Sequence, residues 1–127
     1  MEKVLFACAE NKKRSQMAEA IFNHFAKNAV AKSAGTMPAQ EVDPKVKEAL
    51  AEIGIAISDD IAPKKVNNEM LANANLIISF GCLVAALFPK EKFEEWQVSD
   101  PQTTEEFRTV RDDLVARIKT LIQERNF

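Results

Sequence analysis

The sequence predicts an α/β fold: a single doubly wound domain, residues 1–127, with a four-stranded parallel sheet flanked by helices. Three observations lead there. Strand-like segments alternate with segments of helical period along the whole chain. Two of the strands, around Val4–Ala7 and Leu76–Ile78, are continuous apolar runs, as expected of strands covered on both faces of a parallel sheet. The chain has 127 residues, 46% of them hydrophobic and 28% charged, which suits one core and not two.

Residues 3–7 read as the first buried strand and residues 15–28 as the helix after it, with Met17, Ala18, Ile21, Phe22 and Phe25 on its apolar face. His24, near its end, is given no role. Ala29 to Ser33 is the second strand, ended by Ala34-Gly35-Thr36. Asp43-Pro44 opens a helix with an N-cap acceptor and an N1 proline; Val46, Ala49, Leu50 and Ile53 share a face, and Gly54 closes it. Ile55 to Asn67 reads as a connecting loop with no chemistry of its own. Asn67 or Asn68 caps a short helix around Glu69–Ala72, and Leu76–Ile78 forms the third strand. Residues 83–88 suggest a helical turn before Pro89, and Phe93 to Val98 the fourth strand, carrying Trp96. Thr103-x-x-Glu106 is a capping box. The stripe Phe107, Val110, Leu114, Ile118, Leu121 and Ile122 is core, its Arg/Asp/Lys face solvated.

Several function classes fall away on composition. A net charge of −2 and a pI near 5.5 argue against nucleic acid as the main partner. No apolar run approaches the roughly 18–20 residues that span a bilayer. Met1-Glu2-Lys3 leads straight into a strand without a signal-peptide pattern, so no membrane and a cytoplasmic location are expected. Two cysteines build no disulfide scaffold, no His/Cys cluster has zinc spacing, and three glycines leave no room for a dinucleotide fingerprint. Neither metal nor cofactor is expected.

The chemistry gathers where the first strand meets the first helix. Cys8 ends the strand; Ala9, Glu10, Asn11, Lys12 and Lys13 form a short loop; Arg14-Ser15 starts the helix. Loop amides and a helix N-terminus make an anion cradle. Arg14 adds a planar fork suited to two oxygens of a tetrahedral oxyanion. Cys8 at its floor would be favoured as thiolate. Read by itself, Cys8 is a small hydrophobe at a strand end; the Cys-x5-Arg-Ser spacing at this junction points instead to chemistry. In a parallel sheet all strands end along one edge, so Cys8, Cys82 and Asp100 are expected at one rim. Asp100 suits a general acid, its charged form disfavoured by a bound dianion and by Trp96, with Pro101 stiffening its turn; Asp-Pro also reads simply as a turn. Asn11 tolerates a left-handed backbone. Glu10 should repel an oxyanion unless it points outward or pairs with Lys12 or Lys13.

Cys8-Ala-Glu-Asn-Lys-Lys-Arg14-Ser15-Gln16-Met17-Ala18-Glu19-Ala20 resembles the phosphate loop and first helix of the low-molecular-weight protein tyrosine phosphatases, and of the thioredoxin-coupled arsenate reductases built on the same fold. Trp96-x-x-x-Asp100-Pro101 is similar to the acid loop of that family. The resemblance implies Cys8 as nucleophile, Ala9 to Arg14 as oxyanion ligands, Ser15 donating to the thiolate, Asn11 and Ser33 supporting the loop, and Asp100 as acid. From the sequence alone Ser33 is equally an ordinary strand-end serine. Cys82 stands where the reductases carry a resolving thiol, Phe88 where they carry a third cysteine before a proline, and no tyrosine follows Asp100-Pro101 to grip an aryl phosphate. These features favour an arsenate reductase, reduced by a thioredoxin-like protein or a small thiol. The alternatives are a phosphatase working through phosphocysteine and a non-catalytic oxyanion-binding module.

Overall fold

A computed structural model describes residues 1–81 and 88–127; the helical turn expected at residues 83–88 lies, apart from Phe88, outside the described residues. Strand β1 (Glu2–Cys8) leads through the Cys8–Arg14 loop into α1 (Arg14–Phe25) and then β2 (Ala29–Gly35). After α2 (Pro44–Ala51) and α3 (Asn68–Asn73) come β3 (Leu76–Ser79), a single 3-10 turn (Lys90–Lys92), β4 (Phe93–Glu95) and α4 (Thr104–Arg125). The strands lie in the order β2-β1-β3-β4, all neighbours parallel.

Side-chain alternation along β1 divides the core. Val4, Phe6 and Cys8 face one side, packing with Met17, Ile21 and Phe22 of α1, Val46 and Leu50 of α2, and Leu114 and Ile118 of α4. Leu5 and Ala7 face the other, with Ile77, Phe88 and the partly buried Met70 and Leu71 of α3. Phe88 stacks on Phe93 with ring centroids 5.2 Å apart, so this position is a packed core residue.

Element limits move where backbone groups find partners outside the predicted element. Helix α1 stops at Phe25 because Lys27 and Asn28 turn their N–H groups to the Phe127 carbonyl. β2 runs two residues beyond Ser33, its last residue Gly35 in register with Cys8. β4 is half the predicted length: β3 ends at Ser79, so beyond Trp96, whose N–H reaches the Ser79 carbonyl, the ladder has no partner. At the end of α2, Gly54 (φ 82°) turns the chain, Ile55 donates to Leu50 O and is buried, and Ile53 is left exposed rather than on the apolar face. Asn67 caps α3 and Thr103 with Glu106 forms the capping box of α4, as the sequence predicts.

The polar side of α4 holds one exception to solvation. Arg111 is buried; its Nη1 donates to Ala49 O (2.9 Å) and to Glu52 Oε1 (2.7 Å). Arg108 makes a two-pronged pair with the same Glu52. Hydrogen bonds from Arg108 and then Arg111 hold the Glu52 carboxyl well below its ordinary range, at about 2.

Candidate active site

The sheet order reverses direction at β1 and β3, and a parallel sheet presents its ligand crevice at such a point, outside the carboxyl ends of the strands. The loop from Cys8 to Arg14 occupies it. A cavity of about 140 Å³ there is lined by Cys8, the loop residues through Arg14, and Asp100.

Its geometry follows from where the loop's backbone groups go. Every carbonyl from Cys8 to Lys12 meets a donor outside the cavity. Thr36 N–H donates to Cys8 O (3.1 Å), Met37 to Ala9 O (2.8 Å), Ala39 to Glu10 O (2.9 Å) and Asp43 to Lys12 O (3.0 Å). Gln16 Nε2 donates to Asn11 O (3.2 Å). A planar trans peptide points its C=O and the next residue's N–H in opposite directions. With the carbonyls drawn outward, the amides that follow them converge inward. Those of Ala9, Glu10, Lys12, Lys13 and Arg14 carry no bond to any described residue, leaving a ring of donors at the amino end of α1. Gly35 makes this packing feasible: a Cβ there would lie 3.0 Å from the Ala9 carbonyl carbon, nearer still to its oxygen, and 3.1 Å from Asn11 N.

Asn11 is the hub. It is fully buried with φ 53°, and its N–H donates to Cys8 Sγ at 3.0 Å. Its side-chain oxygen accepts from the Lys64 backbone N–H (2.9 Å), which can only be a donor, so the amide orientation is fixed and Nδ2 faces Ser15 Oγ (2.8 Å). Ser15 Oγ therefore accepts from Asn11, and its own proton is free to point to Cys8 Sγ, 2.9 Å away. As a thiolate Cys8 can only accept, so its sulfur then receives two donors, Asn11 N–H and the Ser15 hydroxyl, which stabilise that form. Lys64 belongs to the segment read from sequence as a plain connection. Its carbonyl accepts from Gly35 N–H, and Val66 N–H returns to Gly35 O, so this segment extends the sheet edge and braces the loop.

Arg14 Nη1 donates to Phe80 O (3.0 Å) and Val98 O (2.6 Å), tying the loop to the chain beyond β3 and β4. Its Nε and Nη2 make no bond to the described residues. Glu10 pairs with Lys12 (3.3 Å), one of the two arrangements that relieve its charge near an oxyanion. Ser33 donates to Glu19 Oε1 (2.8 Å), on α1, so its hydroxyl reaches no backbone group of the loop. Trp96 sits in the core against Phe6 and Phe80, its Nε1 donating to Glu94, while the polar partners of Asp100 are Gln102 Nε2 (2.9 Å) and Lys13 Nζ (3.5 Å). Lys13, expected as an oxyanion ligand, also donates to Pro101 O. Cys82 lies outside the described residues.

A strand-loop-helix cradle of inward amides, with a cysteine at its floor and an arginine at its end, defines an oxyanion-handling cysteine domain. Over residues 3–126 the chain matches the low molecular weight phosphotyrosine protein phosphatases, and it belongs to that family. It is 34% identical over 128 residues to a glutaredoxin arsenate reductase of Synechocystis sp., covering 96% of this chain and 97% of the relative. An arsenate reductase structure from Archaeoglobus fulgidus superposes with a TM-score of 0.78 at 34% identity, covering 94% of this chain and 98% of that one. The arginine phosphatase YwlE of Geobacillus stearothermophilus shares the fold, with a TM-score of 0.87 at 24% identity over 99% of this chain and 94% of that one. Among the described residues no helix is long and apolar enough to cross a membrane.

Proposed function

We propose that this protein is a thiol-dependent arsenate reductase in which Cys8 attacks the oxyanion held by the Ala9–Arg14 loop. The observation that carries the reading is the pair of donors on Cys8 Sγ, Asn11 N–H and Ser15 Oγ, beneath the ring of inward amides. Its curated relatives include arsenate reductases of Synechocystis and of Brevibacillus brevis, which favours arsenate over a phosphate ester.

Chemically, the Cys8 thiolate forms an S–As bond and one arsenate oxygen leaves as water, taking a proton from Asp100. A second thiol then attacks the Cys8 sulfur. The S–S bond forms, the electron pair of the S–As bond stays on arsenic, and As(V) departs as arsenite while two thiols are oxidised to a disulfide. We assign the second thiol to Cys82, and reduction of the disulfide, which restores both thiols, to a thioredoxin-like protein or a small thiol. Phosphate-ester hydrolysis uses the same first step, with water resolving the adduct, and membership of the phosphatase family keeps that reading as the alternative.

Two assays on one preparation separate them: thiol-dependent arsenite formation, and hydrolysis of p-nitrophenyl phosphate. A reductase makes arsenite, and without reductant makes about one per chain before stopping. Cys82→Ser should lose that single turnover and keep any ester hydrolysis. If Cys82→Ser releases arsenite as the wild type does with the same added thiol, Cys82 is not the resolving thiol.

A further inference from the structure

Lys13 gives its amide to the oxyanion loop, but its side chain is placed otherwise. Its side chain leaves the loop and crosses to the segment following β4, 88 residues on, where Nζ donates to Pro101 O at 2.9 Å and lies 3.5 Å from Asp100 Oδ1. It passes over the ring of Phe107, at 6.0 Å from the centroid. The side chain is 11% exposed against 35% for Lys12, its neighbour in the same loop. A lysine taken this far out of water needs its charge met, and a carbonyl, a carboxylate and a ring face meet it. Gln102 Nε2 holds the other Asp100 oxygen at 2.9 Å. The carboxyl is thus gripped at both oxygens, by groups on two segments, at the mouth of the cavity it lines.

We propose that Lys13 is a positioning residue that latches the Asp100-Pro101 segment to the oxyanion loop, and so sets where the acid meets the leaving oxygen. The inference rests on the reading of Cys8 as nucleophile and Asp100 as proton donor. In the step concerned, Cys8 sulfur bonds to arsenic or phosphorus, the bond to the leaving oxygen breaks with its pair on oxygen, and the Asp100 proton moves to that oxygen. Lys13 forms no bond to either reactant. Because the latch joins the cradle to the acid, it acts on the proton-transfer step, and oxyanion affinity stays with the amides and Arg14.

Lys13→Met keeps length and apolar bulk and removes the ammonium; Lys13→Arg keeps a donor. In the wild type and both variants, three readouts are compared: hydrogen exchange at residues 99–103, protection of Cys8 from iodoacetamide by arsenate, and turnover of arsenate, phenyl phosphate and p-nitrophenyl phosphate. With Lys13→Met, exchange at 99–103 should quicken while α4 stays protected. Arsenite formation and phenyl phosphate hydrolysis should fall by about 10- to 100-fold, part of the ~10²–10⁴ that a positioned general acid supplies. Hydrolysis of p-nitrophenyl phosphate, whose leaving group needs little protonation, should fall least, and arsenate protection of Cys8 should hold within about twofold. Lys13→Arg should recover part of the lost rate. Unchanged exchange at 99–103, or arsenate protection lost in step with turnover, overturns the latch and makes Lys13 an oxyanion ligand or a bystander. A wild type that binds arsenate at Cys8 but turns over none of the three substrates overturns the functional reading itself, and this role with it.

Discussion

Gly35→Ala perturbs the cradle from behind, without replacing any residue that faces the oxyanion. Gly35 has no left-handed backbone to maintain, since the positive-φ glycines are Gly54 and Gly81, so alanine is acceptable there except for contact. That contact is with backbone: the new Cβ meets the Ala9 carbonyl and, at 3.1 Å, Asn11 N. Neither is the end of a flexible side chain, and β2 is fixed by pairing Gly35 with Cys8. The loop has to give, by something on the order of 1 Å, and displacements of that size cost about 100-fold in rate where groups must be aligned. Overpacking of this kind costs about 1–3 kcal/mol, and at roughly 4 °C per kcal/mol for a chain of this length Tm should fall by about 4–12 °C. Gly54→Ala is the control: its Cβ has nothing within 4 Å, but φ is 82°, so it should lose about 1 kcal/mol to backbone strain and leave turnover alone. Arsenite formation and thermal melting on the two variants check this. Full turnover in a stable Gly35→Ala protein would refute the argument that this close approach shapes the cradle.

Two other expectations concern the arginines. Arg14→Lys keeps the charge but cannot both hold the Phe80 and Val98 carbonyls and present a second edge to the oxyanion; turnover and arsenate protection of Cys8 should fall at least tenfold with the fold intact, as read by circular dichroism. Glu52→Gln tests the α2–α4 ion cluster through pH. The Glu52 carboxyl lies at about 2 against an ordinary 4.5, so its stabilisation is present above pH 4.5 and is lost as pH falls through about 2. The melting difference between wild type and Glu52→Gln should be constant at neutral pH and close between those two values; a difference unchanged at pH 2 would show that the cluster acts by packing alone.

What could be read in the sequence was whatever depends on local pattern. Apolar runs, helical stripes and cap residues gave the four strands and the four α-helices found among the described residues, and the caps at Asp43, Asn67 and Thr103 are where side-chain chemistry puts them. Limits failed where a distant partner decides them: β4 is short because β3 is short, and Ile53 is displaced by the turn at Gly54. The Cys8–Arg14 loop was legible because its residues are contiguous. Its support was not, because it is backbone. The amides of Thr36, Met37, Ala39 and Asp43, and the Lys64 N–H that orients Asn11, are groups every residue carries and no motif records. The glycine at 35, opposite Cys8, was the available signal for that close approach. Lys13 shows the converse limit: the family resemblance placed it among the oxyanion ligands, a role open to its amide, and nothing in the sequence shows that its side chain reaches Asp100 and Pro101.

If the cradle holds Cys8 as a nucleophile facing a tetrahedral oxyanion, the alkylation rate of this thiol should report it. Iodoacetamide should modify Cys8, located by peptide mass, much faster at neutral pH than it modifies free cysteine, because Asn11 N–H and Ser15 Oγ both donate to the sulfur. Arsenate or phosphate should slow the reaction in a saturable way by filling the ring of amides above it. A Cys8 that reacts no faster than free cysteine, and at the same rate with or without oxyanion, would mean that this loop neither activates the thiol nor binds the anion above it.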